Sequence, residues 1–295
     1  MERFIAPPRR QRTLASPCTV VGQGYWWGKE VRVDFLPAPA NHGIVFVRVD
    51  LPGRPSVPAR VEHRVETPRR TSLQRGAARV EMIEHIMAAL TGSEIDNCEI
   101  RVTECEMPAC GGSSRVFVEA FKRAGIVEQP AIKPRVVIQE IVRVSLDDQW
   151  LEARPTRSGR MILSYELDYG SHSPIRPQFF SMSLTSESFD KHVADCRTFL
   201  LRSEAEALLA QGMGRHTSYR DLLVFDHHGP VDNRLLFPDE CARHKVLDMI
   251  GDLALGQVQW VGHFYAHRSG HRLNAMMVAE LLARQQALQH RRQCA

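Results

Sequence analysis

A histidine and an aspartate lie four residues apart in a helical segment of the second half of the chain. His244 and Asp248 have the i, i+4 spacing that lets both side chains reach one metal ion. The apolar residues of this segment occupy a separate arc of the helix, namely Val246, Leu247, Met249, Ile250, Leu253 and Ala254. The segment alone is equally compatible with a solvated helix face that binds no metal.

A second acid–imidazole pair, Glu84 and His85, lies far away in the sequence. It belongs to a segment with helical periodicity whose core stripe is Ile83, Ile86, Met87 and Leu90. The pair points away from that stripe, beside the small residues Ala88 and Ala89, which leave room for another group to approach. Taken alone, the pair also fits an ordinary surface position.

The two segments together supply the ligand set of a catalytic metal ion. Catalytic zinc takes three protein ligands, two close in sequence and one remote, and keeps its fourth position open. His85, His244 and Asp248 form such a set, and Glu84 can accept a proton from the water that the metal activates. Lys245 adds positive charge where an oxyanion would develop. The residue types therefore fit metal-assisted hydrolysis, although the distance between the two segments does not follow from one sequence.

A further candidate is His271, in the segment Arg268-Ser-Gly-His271 between a predicted strand at 261–267 and a predicted helix. Turns of this kind present side chains to clefts. His271 can serve as a general acid or charge stabiliser, with Asp252 orienting its ring, although a turn histidine without a function has the same spacing. The seven cysteines form no evident His-activated pair, so cysteine catalysis is the weaker interpretation.

The elements that must position these residues occur in two groups. The patterns predict strands at 31–36, 43–49, 98–102, 136–144 and 161–167. They predict helices at 81–90, 116–124, 186–193, 204–210, 240–255 and 273–286. Strands before helices, twice over, favour an α+β fold. The segment 128–134 contains two prolines and is interpreted as a linker, which divides the chain into domains 1–130 and 131–295.

Composition excludes several classes of protein. With 295 residues, 43% hydrophobic and 24% charged, the chain is globular and long enough to bury a core. A net charge of +4 is too small to require a nucleic-acid or membrane partner. The cysteines contain no CxxC motif, and neither a signal peptide nor a transmembrane run is evident. We therefore expect a soluble, cytoplasmic protein.

Motifs along nearly the whole chain resemble the UDP-3-O-acyl-N-acetylglucosamine deacetylase family, the zinc amidases of lipid A biosynthesis. They occur in the order of the family: Arg12-Thr-Leu, Leu36-Pro-Ala-Pro-Ala-Asn41, Ile83-Glu-His-Ile-Met-Ala-Ala-Leu90, Ile95-Asp-Asn97, Arg197-Thr-Phe199, Arg243-His-Lys-Val-Leu-Asp-Met-Ile-Gly-Asp252 and Ser269-Gly-His-Arg-Leu-Asn274. The resemblance implies two similar domains, each a β-sheet layered on α-helices, with the active site between them. It implies that His85, His244 and Asp248 hold Zn²⁺.

The resemblance also implies catalytic roles for five residues. Glu84 would be the base, His271 the acid or electrostatic partner, and Asp252 its orienting carboxylate. Lys245 and Thr198 would stabilise the oxyanion. We further expect contacts with the substrate from Phe199, Trp26, Trp27, Tyr219 and Arg220.

Three segments depart from the pattern of the family. Gly24-Tyr25-Trp26-Trp27-Gly28 stands where the family has Gly-Leu-His-Thr/Ser-Gly. Cys110-Gly111-Gly112-Ser113 replaces Met-Asp-Gly-Ser, and His216-Thr217-Ser218-Tyr219-Arg220-Asp221-Leu222 replaces Gly-Gly-Ser-x-Asp-Asn-Ala. The first and third lie near the substrate in the family, so their added bulk and charge predict a reshaped cleft.

The resemblance predicts zinc-dependent hydrolysis of the N-acetyl amide of an acylated nucleotide sugar. One alternative is a deacetylase of a different acetylated amino sugar, and another is a non-catalytic member that binds a nucleotide sugar. The complete set of metal ligands and base favours an enzyme, because a binding module needs no carboxylate to activate water. A lipidic substrate would also bring peripheral contact with a membrane. The altered segments predict that the standard long-chain substrate is a poorer one for this protein.

Overall fold

A computed structural model describes residues 8–219 and 221–293. The first half of the chain contains β1 (Arg10–Leu14), β2 (Cys18–Gln23), β3 (Glu30–Pro37), β4 (Ile44–Arg48), β5 (Ser56–Pro58), β6 (Arg64–Val65), β7 (Ser72–Arg75), β8 (Ala78–Glu81), α1 (Glu84–Gly92), β9 (Cys98–Val102) and α2 (Arg115–Ala124). Strand β10 (Ile126–Ile132) follows and pairs antiparallel with β1.

The second half contains β11 (Arg135–Val137), β12 (Val142–Leu146), β13 (Gln149–Arg154), β14 (Met161–Leu167), β15 (Gln178–Ser183), α3 (Ser186–His192), β16 (Phe199–Leu201), α4 (Arg202–Ala210), β17 (Leu223–Asp226), β18 (Gly229–Pro230), α5 (Glu240–Leu253), β19 (Gln259–His267) and α6 (His271–Gln293). The mixture of helices with several separate sheets confirms the predicted α+β class.

The two large sheets have the same topology. The strand order is β2-β3-β9-β4-β5 in the first half and β12-β13-β19-β14-β15 in the second, where β11 also pairs with β19. In both sheets the last strand of the half lies centrally, antiparallel to one neighbour and parallel to the other. The shared order of strands and helices that the sequence shows is therefore a repeated topology.

Each half carries an inserted segment between its fourth sheet strand and the next long helix. In the first half the insertion forms the small sheet β6-β7-β8, which precedes α1. In the second half it contains α3, α4 and the sheet β16-β17-β18, which precede α5. Both insertions therefore end where a helix with predicted metal ligands begins.

Helices α1 and α5, one from each half, pack directly against each other. A Cβ atom built on Gly251 would lie 2.1 Å from the carbonyl oxygen of Glu84, so only glycine permits this approach. Ala88 and Ala89 are fully buried, which shows that the small residues of α1 accommodate protein rather than leave a free surface. The interpretation of Glu84 and His85 as a surface pair is therefore wrong, because both are buried.

Other differences from the predicted elements have local causes. Helix α1 begins at Glu84 rather than at residue 81, because 78–81 form a strand and Met82 has a positive φ of 62°. The predicted strand at 136–144 is two strands, β11 and β12. The segment interpreted as a linker lies mostly in β10, so it is paired chain. The domain boundary near residue 130 stays a prediction.

Within the described residues, no helix combines the length and apolar character that crossing a membrane requires.

Candidate active site

The three predicted metal ligands converge between α1 and α5. His85 Nε2 lies 3.7 Å and His244 Nε2 lies 3.3 Å from Asp248 Oδ1. All three side chains are buried, and one ligand atom from each lies within 4.8 Å of the others. Tetrahedral ligands at zinc distances are separated by roughly 3.3 Å, so the set is close to that arrangement. The interpretation of His244 and Asp248 as a solvated face is wrong, since both side chains are buried.

The hydrogen bonds and charges around these ligands suit a cation. His244 donates Nδ1–H to the carbonyl oxygen of Cys196 at 3.0 Å, which leaves Nε2 facing Asp248 as an acceptor. Burial lowers the pKa of His244 to about 4, so the ring is neutral, as a ligand must be. Burial opposes ionisation of Asp248, but His244 and Lys245 hold its pKa well below the usual value. The group therefore offers two neutral imidazoles and one anion.

Lys245 lies beside the ligands on α5. Its Nζ donates to Asp248 Oδ2 at 2.9 Å and lies 5.6 Å from the centroid of the Phe199 ring. Burial lowers the pKa of Lys245, but the charge of Asp248 outweighs that effect and raises the pKa above its usual value. Lys245 therefore remains a cation at the edge of the ligand group.

Glu84 occupies the first turn of α1, adjacent to the ligand His85. Its Oε2 accepts the backbone N–H of Thr71 at 3.0 Å, which fixes the carboxylate inside the site. The pKa of Glu84 is raised above its usual value by burial, which outweighs the opposite effect of the charges of His271 and His85. The Glu84 carboxylate thus lies in the same buried site as the predicted metal ligands.

His271 is the first residue of α6 and is held by Asp252. Its Nδ1–H donates to Asp252 Oδ2 at 2.8 Å. The same carboxylate accepts hydrogen bonds from Asn274 Nδ2 at 2.8 Å and from Thr71 Oγ1 at 2.5 Å. Burial lowers the pKa of His271, but the charge and hydrogen bond of Asp252 outweigh it and raise the pKa to about 9. The imidazole is therefore protonated at neutral pH.

Thr71 is a site residue that the sequence did not indicate. Its backbone N–H holds Glu84 and its hydroxyl holds Asp252, so one residue orients the carboxylates of two helices. Thr71 lies 181 positions from Asp252, and no local pattern distinguishes it from other threonines. Asn274 belongs to a matched motif, but its hydrogen bond to Asp252 was also not foreseen.

Thr198 and Phe199 lie beside the ligands, where β16 begins. The Thr198 hydroxyl lies 3.4 Å from His244 Nε2 and 3.2 Å from the carbonyl oxygen of Gly112. The Phe199 ring contacts the His244 ring edge-on, with centroids 6.1 Å apart. Both predicted residues therefore adjoin the metal ligands.

A cavity of about 790 Å³ opens onto this site, and both insertions line it. The first insertion contributes residues 66–69, and the second contributes most of the stretch from Thr198 to Val224. Apolar side chains of the second insertion cover one wall: Leu200, Leu208, Leu209, Met213, Leu222 and Val224. A concave, mainly apolar space with a few converging polar groups is typical of a small-molecule site.

The predicted substrate-contact residues are distributed unevenly around the cavity. Trp26 and Tyr219 line it, as does Phe199. Trp27 does not line it and is 56% exposed, because Trp26 turns inward at this hairpin while its neighbour turns outward. Contact of Trp27 with the substrate stays a prediction. Arg220 lies outside the described residues.

Comparison with known proteins identifies the family of the chain. A sequence model of the family described as LpxC, UDP-3-O-acyl N-acetylglycosamine deacetylase, matches residues 11–283. The chain belongs to this family. It is 39% identical to the UDP-3-O-acyl-N-acetylglucosamine deacetylase of Anaeromyxobacter dehalogenans, over 92% of this chain and 87% of that protein. It is 38% identical to the enzyme of the same name from Chlamydia felis, over 93% and 97%, and 36% identical to that of Myxococcus xanthus, over 92% and 86%.

Proposed function

We propose that the protein is a zinc-dependent UDP-3-O-acyl-N-acetylglucosamine deacetylase that acts in lipid A biosynthesis. Membership of the deacetylase family carries this function, since relatives of that name match nearly the whole chain. The convergence of His85, His244 and Asp248 at the cavity supports zinc as the cofactor. The reaction is hydrolysis of the N-acetyl amide, which yields the free amine and acetate.

The residues around the ligands supply the acid–base chemistry in this proposal. His85, His244 and Asp248 would hold a zinc ion, which would supply Lewis acidity for the attacking water and the amide carbonyl. Glu84 takes the proton from the attacking water, and His271, protonated and held by Asp252, donates a proton to the leaving amine. Lys245 and the Thr198 hydroxyl stabilise the negative charge that develops on the carbonyl oxygen.

The cavity supports an acylated nucleotide sugar as the substrate. Its apolar wall fits an acyl chain, and the three predicted metal ligands also line it. Leu209 and Tyr219 line the cavity and remain substantially exposed, so they would be the contacts with lipid as the acyl chain enters from a membrane. The proposal places the reaction in the cytoplasm. A different acetylated amino sugar is the second candidate, favoured by the altered Trp26 and Leu222 that line the cavity.

An activity comparison tests the proposed function. The purified protein is assayed for acetate release from UDP-3-O-acyl-N-acetylglucosamine, from UDP-N-acetylglucosamine and from other acetylated amino sugars, with and without added zinc. We expect the acylated nucleotide sugar to be hydrolysed and chelator to abolish the reaction. Faster hydrolysis of another amino sugar would favour the second candidate, and activity that survives complete metal removal would contradict a metal-dependent mechanism.

A further inference from the structure

The three segments that depart from the family pattern contact one another in the fold. Tyr25 in the first segment donates its hydroxyl to the carbonyl oxygen of Asp221 in the third, at 2.8 Å. Thr217 in the third donates its hydroxyl to the Tyr25 carbonyl at 2.9 Å. A Cβ atom on Gly112, in the second segment, would lie 2.4 Å from the Tyr25 hydroxyl. We call these four residues the divergent wall.

The hydrogen bonds of the divergent wall depend on groups that the family pattern lacks. Leucine in place of Tyr25 has no hydroxyl to donate to Asp221. Glycine in place of Thr217 has no hydroxyl to donate to Tyr25. The first and third departures are therefore hydrogen-bonded to each other, while Gly112, a glycine in the family pattern as well, gives the Tyr25 hydroxyl the space it occupies.

The divergent wall contacts Thr198 through Gly112. The backbone N–H of Thr198 donates to the Gly112 carbonyl at 2.9 Å, and a Cβ atom on Gly112 would lie 3.0 Å from that nitrogen. The Thr198 hydroxyl lies 3.2 Å from the same Gly112 carbonyl, so Gly112 contacts both Tyr25 and Thr198. The Thr198 hydroxyl in turn lies 3.4 Å from His244 Nε2. Tyr25 is itself buried.

We propose that Tyr25 is a positioning residue for the reaction, whose hydroxyl packs against Gly112 and so fixes the carbonyl that holds the Thr198 hydroxyl beside the metal ligands. The inference rests on the proposed function, because that function assigns Thr198 to the developing oxyanion. Tyr25 lines the cavity, but its hydroxyl donates its one hydrogen to the Asp221 carbonyl, so it orients Thr198 through Gly112 rather than binding the substrate. A leucine at this position cannot exert this control, so the divergent wall adds a constraint of its own to the site.

A double-mutant cycle on the metal-loaded protein tests this inference. Tyr25→Phe removes one oxygen atom, and we expect kcat to fall about three- to tenfold with KM changed less than twofold. Thr198→Val removes the hydroxyl through which Tyr25 acts, so adding Tyr25→Phe to it should lower kcat no further. Tyr265→Phe is the matched control, because its hydroxyl bonds to Glu166 and neither residue lines the cavity, so this variant should keep native kcat.

Three outcomes would overturn the inference. Losses in kcat that multiply in the double variant would show that Tyr25 does not act through Thr198. A change confined to KM would make Tyr25 a substrate contact, and an unchanged kcat in Thr198→Val would leave nothing to position. An unchanged kcat in Thr198→Val leaves the proposed function intact, provided that the native protein is active. A native protein without activity overturns both the inference and the proposed function.

A second variant covers a failure of Tyr25→Phe to fold, which thermal melting would reveal. Thr217→Val removes the hydrogen bond to the Tyr25 carbonyl and keeps the Tyr25 hydroxyl. We expect a two- to fivefold loss in kcat, about one hydrogen bond at most, which again disappears in a Thr198→Val background. Equal losses in both backgrounds would overturn the inference.

Discussion

At the scale of single residues, substitution of Glu84 allows metal binding and catalysis to be measured separately. Its carboxylate is held by Thr71 and is not part of the ligand group. Glu84→Ala and Glu84→Gln should therefore keep the metal while kcat falls about 10²- to 10⁴-fold, the usual contribution of a positioned general base. Steady-state kinetics together with metal analysis checks this. Glu187→Gln, which changes an exposed glutamate on α3, is the control, and a loss under tenfold at Glu84 would exclude it as the base.

The pair of His271 and Asp252 predicts a specific pH dependence. The pKa of His271 is raised to about 9 because Asp252 outweighs the effect of burial, so the imidazolium is present below that pH and lost above it. Asp252→Asn removes the charge and lowers this pKa, so the alkaline limb of the kcat/KM profile should move to lower pH. A cation bound at the ligands lowers the pKa of His271 in the native protein and in Asp252→Asn alike. The pKa of the variant therefore stays the lower of the two. An unmoved limb would exclude His271 as the group that must be protonated.

At the scale of helices and strands, the sequence reveals those features of the site that depend on one element alone. His244 and Asp248 share one helix turn, so their common face follows from local geometry. Burial of Glu84 and His85 depends on α5 packing against α1, which the sequence of α1 alone does not specify. Hydrophobic periodicity found the long helices and the central strands. It did not find the short strands of the insertions, β6 to β8 and β16 to β18, because two to four residues are too few to show a period.

The contact between α1 and α5 yields a prediction at the same scale. Gly251→Ala places a methyl carbon 2.1 Å from the Glu84 carbonyl oxygen, so the helices must separate. Overpacking of this kind destabilises by about 1–3 kcal/mol, and we expect the free energy of unfolding to fall by that amount. Gly270→Ala adds the same methyl group where no atom lies within 4 Å, and denaturant unfolding of the two variants is the comparison. Equal stabilities would mean that the helix spacing is not set by Gly251.

The whole molecule combines two copies of one topology into one site. Each half supplies a sheet, a ligand-bearing helix and an insertion that lines the cavity. The sequence shows this only as a repeated order of strands and helices, because the pairing of β9 and β19 at the centre of each sheet is non-local. The motifs, in contrast, mark almost every group that converges at the ligands, since these groups occur in short runs on α1, α5 and the start of α6.

Because the predicted ligands lie on helices from both halves, a metal ion bound there would link the two halves of the molecule. His85 lies on α1, whereas His244 and Asp248 lie on α5, so a bound ion joins the two. An ion at 100 times its dissociation constant stabilises the folded state by about 2.7 kcal/mol. Chelation should therefore lower Tm by roughly 5 °C or more, and zinc should restore it. Asp248→Ala removes the anionic ligand and serves as the control, since its Tm should respond to neither treatment. A native Tm indifferent to both chelator and zinc would show that no ion links α1 to α5.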